Sequence, residues 1–341
     1  MEKSPPATGG LSAARKNLPG RSASPHHRCI SAWPTMSKAN RIDPIPRIPK
    51  EVLRRILPSE NPFVTDADGM IGRLNELSSK LPRRYGWRYR TVEGMRAEVA
   101  EIAASAKIAA TPAKALPFNL LYWQDQLGNW EAYSIMNTLR IADLARSCVW
   151  ALAREDAVCA SLLARSALET AAAFVDAART VSTTIIGTTT DGKPGLILDS
   201  DVDLRTTVVT SEELERYSLK TIFASRLPES ETIYNPTNIA TIIARISKIP
   251  AQGFVLSTYG ILCEAAHPNM LGRMLYLHKS EPGPRKGNEL RILGPGNGPT
   301  WQLLAEAIVA AVSWASATQT SAFALMAETI ETVMGRLKTA Q

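Results

Sequence analysis

Aromatic side chains make up only 6% of the 341 residues, whereas Ala, Leu and Ile recur throughout. That balance disfavours an aromatic-rich sheet sandwich and favours helices packed closely through small side chains. Histidine is scarcer still: of four, His26 and His27 are adjacent near the start, leaving His267 and His278 for the rest of the chain. The four cysteines, Cys29, Cys148, Cys159 and Cys263, form no CxxC pair. No structural zinc set is therefore expected, and thiols so dispersed suit a reducing cytoplasm. A GxxxxGK[ST] phosphate loop is missing, and no GxGxxG follows a strand and opens a helix. These gaps exclude P-loop nucleotide chemistry and dinucleotide binding, so no cofactor is expected. Ser257 and Ser313 lack the sharp strand-to-helix turn of a hydrolase nucleophile. The apolar run at 303–314 is broken by Glu306, so no membrane-spanning segment is predicted. No basic stretch leads into an apolar h-region at the start, which disfavours a secretory signal.

What is present can build a large core, since 45% of the residues are hydrophobic. The net charge of +7 invites a nucleic-acid reading, but its distribution is uneven. Residues 1–50 hold nine Lys/Arg and two Asp/Glu, while the remainder holds thirty of each sign out of totals of 39 and 32. The first fifty residues are also rich in Pro, Gly and Ser and lack apolar periodicity, so ordering them would cost entropy with little burial to offset it. They are expected to form a basic, disordered extension, and Met36 offers an alternative start just before the first helix.

Two further regions follow, an N-terminal helical region over 51–118 and a helical body over 119–335. Short helices are predicted at 51–58, stopped by Pro58, and at 66–81, where Met70, Ile71, Leu74 and Leu77 make an apolar stripe. RRYGWRYR at 83–90 mixes cations with rings and is a candidate RNA contact or a solvated loop. Another helix is predicted at 91–110. After the turn at Pro112 and Pro117, a helix over 129–153 with Asn129 as N-cap precedes one over 157–182, the two forming a hairpin broken at 154–156. Turn signals at 191–192 and 194–195 within 183–210 suggest a small β-hairpin. Ser211 then caps a helix over 212–225, and helices follow at 238–248 and 254–266. A second hairpin is predicted from 272–279 and 288–293 around EPGPRKG, before a long helical stretch over 300–335. The fold class is thus mainly α, a helical bundle with one or two small β-hairpin insertions.

Two segments carry candidate chemistry. In ARSALETAAAFVD, Arg165 and Glu169 lie four residues apart on one helix face, and Asp176, seven further on, can join it. Such a pair is either a salt bridge that fixes packing or an arginine held in place to bind phosphate. In STYGILCEAAHPN, Tyr259, Cys263 and His267 recur at intervals of four, with Glu264 beside His267. Pro268 biases His267 away from α geometry and puts its imidazole at a helix end, as a packing knot or as a general acid or base.

Over 163–170 and 259–269, with Arg165, Glu169 and the Tyr…Leu-Cys-Glu…His-Pro-Asn pattern, the chain resembles uncharacterised bacterial helical proteins of the DUF5677 and HEPN-like groups. The likeness extends over roughly 129–335. It implies a compact helical bundle, often a homo-oligomer, and a metal-independent ribonuclease using Arg and His. Carried over by motif position, the implied site residues are Arg165, Glu169 and His267, with Tyr259 positioning His267 or phosphate. The nuclease motif of that group sets Arg a few residues before His, which makes Arg273 and His278, in RMLYLH, secondary candidates. The resulting expectation is a cytoplasmic RNA-processing or defence-associated endoribonuclease acting on RNA or a nucleotide-containing ligand. The alternative is a non-catalytic helical oligomerisation or partner-binding module.

Overall fold

The computed structural model describes residues 43–57, 59–82, 85–87, 97, 115–185, 202–228, 230–267, 269–293 and 300–339. Their elements are α1 (Lys50–Ile56), α2 (Pro62–Thr65), α3 (Ala67–Lys80), α4 (Ala115–Ala153), α5 (Ala157–Ile185), α6 (Glu212–Thr221), α7 (Ile239–Ile246), α8 (Phe254–Ala266), α9 (Met270–Met274), β1 (Leu277–Pro282), β2 (Glu289–Leu293) and α10 (Trp301–Thr339). A helical bundle with one two-stranded antiparallel hairpin is what the described residues form. The turn signals at 191–195 and, apart from Ala97, the predicted helix at 91–110 lie outside the described residues.

The centre of the bundle is α10, which packs against α5, α4, α3 and α8. Ala305, Ile308, Val309, Ala311, Val312, Trp314 and Ala315 are all buried along it. Its largest partner, α5, offers Ala160, Ala164, Ala167, Ala171 and Ala178, each fully buried at spacings of three, four and seven. Small side chains let the two backbones approach, Leu168 joins the core they share, and Phe174, also buried, meets the Tyr133 ring of α4. Both α5 and α10 are long and apolar enough to cross a membrane by length and composition, contrary to the expectation drawn from the break at Glu306. Here they are the core pair.

The α4–α5 hairpin turns where the charged triplet at 154–156 was expected to break the helix, with Glu155 in the left-handed region at φ 56°. Unexpectedly, α4 begins at Ala115 rather than at 129. Pro117 falls in the first turn, where a helix needs no N–H from it. Asn129 is therefore not an N-cap; it is buried in mid-helix, and its Oδ1 accepts the indole N–H of Trp87 at 2.9 Å. Trp87 also stacks on Phe223, and the Tyr85 hydroxyl donates to Glu131. Two rings of the 83–90 segment are thus held against α4; Arg83, Arg84, Arg88, Tyr89 and Arg90 lie outside the described residues.

The expected extension over 1–50 needs a second correction. Residues 43–49 form neither helix nor strand but are docked, with Ile45 and Ile48 buried three residues apart. The Asn75 side chain accepts from the N–H of Ile45 at 2.7 Å and donates to its carbonyl at 3.0 Å. Asp68 accepts from Ile48 N–H at 3.2 Å, and Arg146 donates to the Asp43 carbonyl. These isoleucines join the core that also holds Leu74, Ile141, Leu168 and Trp314.

On the opposite flank, the segment before α6 is pinned to the start of α4. Asn119 bonds three backbone groups of 204–209, and the Trp123 indole donates to Val209 O at 3.1 Å. The Tyr122 hydroxyl accepts from Ser211 N–H and donates to Glu215 at 2.7 Å. Ser211 caps α6 as expected, accepting from Leu214 N–H at 3.1 Å.

Burial also sorts the thiols. Cys148 is fully buried, donates to Ala160 O at 3.3 Å, and has its pKa pushed well above the usual range by burial and then by Cys159. Cys159, at the exposed start of α5, is open to solvent. In the folded protein at mild alkaline pH, a thiol reagent is expected to modify Cys159 rapidly and Cys148 only on unfolding. Peptide mapping after timed labelling checks this; equal rates at the two positions would contradict the core placement.

Candidate functional site

Arg165 lies on the face of α5 that α8 covers, and α8 ends beside it because Pro268 cannot follow an α-helical residue comfortably. His267 is accordingly the C-cap of α8, with extended backbone (φ −94°, ψ 160°) and its N–H on Cys263 O at 3.0 Å. This brings residues 102 apart in the chain together: Arg165 Nη1 is 3.3 Å from His267 Nε2. Arginine only donates, so a hydrogen bond across this contact requires Nε2 to be its acceptor.

Glu169 fixes the guanidinium from the other side, accepting from Nε at 2.9 Å. The Tyr259 ring lies beneath, 5.6 Å from Arg165 Cζ to its centroid. Burial opposes the charged guanidinium, but the hydrogen bond and charge of Glu169, with Cys263 and Tyr259, outweigh it and raise the Arg165 pKa. Tyr259 is pushed up to about 12, first by burial and then by Cys263 and Glu169. It remains a neutral phenol at any physiological pH. Arg165 and Glu169 side chains keep about a quarter of their surface exposed, 24% and 27%, and His267 is exposed. The cluster therefore stands half-buried at the seam of α5 and α8, open on the imidazole side.

Arg165, Glu169, Tyr259 and His267 are thus brought together. Asp176 is not: its carboxylate turns to Arg245 at 3.0 Å and to the Tyr217 hydroxyl at 3.3 Å, and burial raises its pKa. Arg273 and His278 fall in different elements. Arg273 is exposed on α9, a helical turn where a strand was expected, while β1 starts at Leu277. His278 sits at the register irregularity between Leu277 and Lys279, and its side chain lies outside the described residues.

The sequence reading missed how the turn after His267 is held. Asn269 Nδ2 donates to Glu264 Oε1 at 2.9 Å, and α9 folds back over the last carbonyls of α8. A Cβ at Gly272 would lie 2.8 Å from His267 O and 3.1 Å from Ala265 O, both backbone atoms that cannot swing aside. The HPN turn followed by glycine was the signal available. Gly272→Ala is expected to lift α9 and cost about 1–3 kcal/mol, with faster tryptic cleavage after Arg273. An unchanged melting temperature and cleavage rate would show that α9 is not seated this way.

Among the described residues, no three His, Cys, Asp or Glu side chains come together to hold a metal ion. Two surface clefts lie elsewhere, one of about 210 Å³ at Asp203, Arg205 and Arg336 and one of about 190 Å³ at Thr180, Tyr217 and Lys220. Comparison with protein-family models, curated proteins and solved structures finds no match to this chain.

Proposed function

We propose that this protein is a HEPN-like RNA-processing endoribonuclease that needs no metal, with Arg165 and His267 as its reacting pair. The observation that carries the reading is the 3.3 Å contact between Arg165 Nη1 and His267 Nε2. A neutral imidazole is a poorer partner for guanidinium than a phosphate oxygen, which forms a charge-assisted bond. A phosphodiester arriving at Arg165 therefore takes its N–H and frees the Nε2 lone pair. His267 then removes the ribose 2′-hydroxyl proton, and the 2′-oxygen attacks phosphorus as the bond to the 5′-oxygen breaks. Arg165 balances the charge that builds on the non-bridging oxygens, and Glu169 keeps it aimed.

The departing 5′-oxygen needs a proton from a second acid, because one imidazole cannot give and take at the same moment. A second copy of the chain supplies it in this reading, so the active form is a homo-oligomer acting in the cytoplasm. The products are a 2′,3′-cyclic phosphate and a free 5′-hydroxyl. The test is to incubate purified protein with a panel of single-stranded and hairpin RNAs in excess chelator and to analyse the ends formed. Chelator-resistant cleavage with cyclic phosphate ends supports the reading; no cleavage across the panel overturns it.

The second reading, a partner-binding or oligomerisation module, is favoured by a different feature of the same contacts. Arg165 already satisfies Glu169, Tyr259 and His267 within one chain, which is what a latch between α5 and α8 requires.

A further inference from the structure

Charge at the Arg165–His267 seam does not by itself attract a phosphodiester. Arg165 and Glu169 cancel, and Glu264, held by Asn269, adds a negative charge nearby. The compensating cation is Arg273, which makes no ion pair or side-chain hydrogen bond among the described residues and is exposed. It is not loosely placed. Gly272 rests against the His267 carbonyl, Arg273 N–H donates to Asn269 O at 3.1 Å, and Tyr276 N–H donates to Arg273 O at 3.1 Å. The corner from α9 into β1 is therefore wound tightly over the end of α8.

Side-chain burial along this corner alternates. Leu275 and Leu277 are buried at 5% and 6% exposure, and Tyr276 between them is 53% exposed. Two apolar anchors thus flank a tyrosine that keeps about half of its surface in solvent. Met270, 71% exposed, stands at the other end of the same turn. An outward-facing tyrosine three residues from an exposed arginine on one tightly wound turn, the arginine having no ion pair or side-chain hydrogen bond among the described residues, offers the two groups that bind one nucleotide of a single strand, base on ring and phosphate on cation.

We infer that Arg273 and Tyr276 form a subsite for the nucleotide next to the scissile phosphodiester of a single-stranded RNA, Tyr276 stacking its base and Arg273 holding its phosphate. The inference rests on the RNA-cleavage reading and adds to it the substrate class: unpaired RNA rather than duplex, since a base in a helix presents no free face. It assigns Arg273 to binding rather than to a catalytic pair with His278.

The experiment uses the full chain and a fluorescein-labelled single-stranded oligoribonucleotide of mixed sequence carrying 2′-O-methyl groups, which binds but lacks the attacking hydroxyl. Binding is followed by anisotropy across a salt series for wild type, Tyr276→Ala, Tyr276→Phe and Arg273→Gln, and cleavage of the unmodified strand is measured in parallel. Tyr276→Ala is expected to weaken binding roughly 5- to 150-fold, and Tyr276→Phe to stay within about twofold of wild type. Arg273→Gln is expected to flatten the dependence of log K on log salt by about 0.7, the signature of one lost phosphate contact on a single strand. A merely structural role would not move that slope. Wild-type affinity and slope in the Ala and Gln variants of a protein that still cleaves RNA would overturn the subsite and leave the nuclease reading standing. Binding that depends on both residues without any cleavage would overturn the nuclease, and with it the subsite's place beside a scissile bond, leaving Arg273 and Tyr276 as a single-strand binding site only. No binding by wild type would overturn both.

Discussion

His267→Gln is expected to lower the rate of RNA cleavage by about 10²- to 10⁴-fold while shifting the melting temperature by no more than about 2 °C. The rate falls because glutamine can accept the Arg165 N–H but cannot carry a proton between substrate and product. The fold is spared because the His267 side chain is exposed and α8 is terminated by backbone and Pro268 rather than by the ring. Arg165→Ala is expected to lose about 10²-fold or more, with some added loss of stability, since Glu169 is left with about a quarter of its side-chain surface exposed and no counter-charge. Arg165→Lys keeps the charge but not the fork that reaches Glu169 and His267 together, so it should recover binding more than rate. Steady-state cleavage with matched thermal melts reads all three. If folded His267→Gln cleaves like wild type, the imidazole is not the base. If neither Arg165 nor His267 substitution changes turnover but both lower stability, the cluster is the latch of an interaction module.

How far this site was readable beforehand depends on whether its spacing was local. Arg165 and Glu169 share a helix, as do Tyr259 and Cys263 with His267 as its C-cap, and helical spacing sets each group on one face. The end of α8 was equally legible, because Gly253 and Pro268 bracket 254–266 in the sequence and the helix occupies those residues. Ser211 announced α6, its side chain accepting a first free N–H group, whereas Asn238, expected as the first residue of the next helix, is the N-cap of α7.

The failures are tertiary. Asn129 has the side chain of an N-cap, but α4 runs through it because Trp87 takes its carbonyl and the apolar face continues back through Trp123 and Leu127 to Ala115. Asp176 has the periodicity to join Arg165, yet Arg245 on α7 and Tyr217 on α6 draw its carboxylate away. Residues 43–49 look featureless by composition, and only the facing Asn75, Asp68 and Arg146 give their backbone groups partners. Arg273 shows the same limit: its distance from His278 in sequence suggested one unit, whereas Gly272 seats it on α8 as part of a separate helical turn.

The largest effect on stability is expected at Asn119, which is fully buried at the start of α4. Its Nδ2 donates to Leu204 O at 3.0 Å and Thr207 O at 2.8 Å, and its Oδ1 accepts from Val209 N–H at 2.9 Å. One carboxamide thus satisfies three backbone groups of a segment that has no helix or strand of its own over 202–211. Removing it strands all three, each at about 1–3 kcal/mol when buried, although the segment can lift toward water and recover part of that. Asn119→Ala is therefore expected to cost about 2–4 kcal/mol, with amide exchange accelerated over 204–209. Asn119→Asp has nearly the same shape but is expected to be worse at neutral pH. It keeps the acceptor for Val209, loses both donors, and sets a buried negative charge against the carbonyls of Leu204 and Thr207. Burial raises that carboxyl's pKa in the folded state above its unfolded value, so the folded protein binds the extra proton more tightly. Stability of the Asp variant must then fall as pH rises through the unfolded value, while the Ala variant shows no such dependence beyond wild type. Urea unfolding of both variants at pH 4 and pH 7, with exchange measured across 204–209, reads the difference. A change below about 0.5 kcal/mol in Asn119→Ala, with protection unaltered, would mean that Trp123 and Tyr122 hold the segment without it.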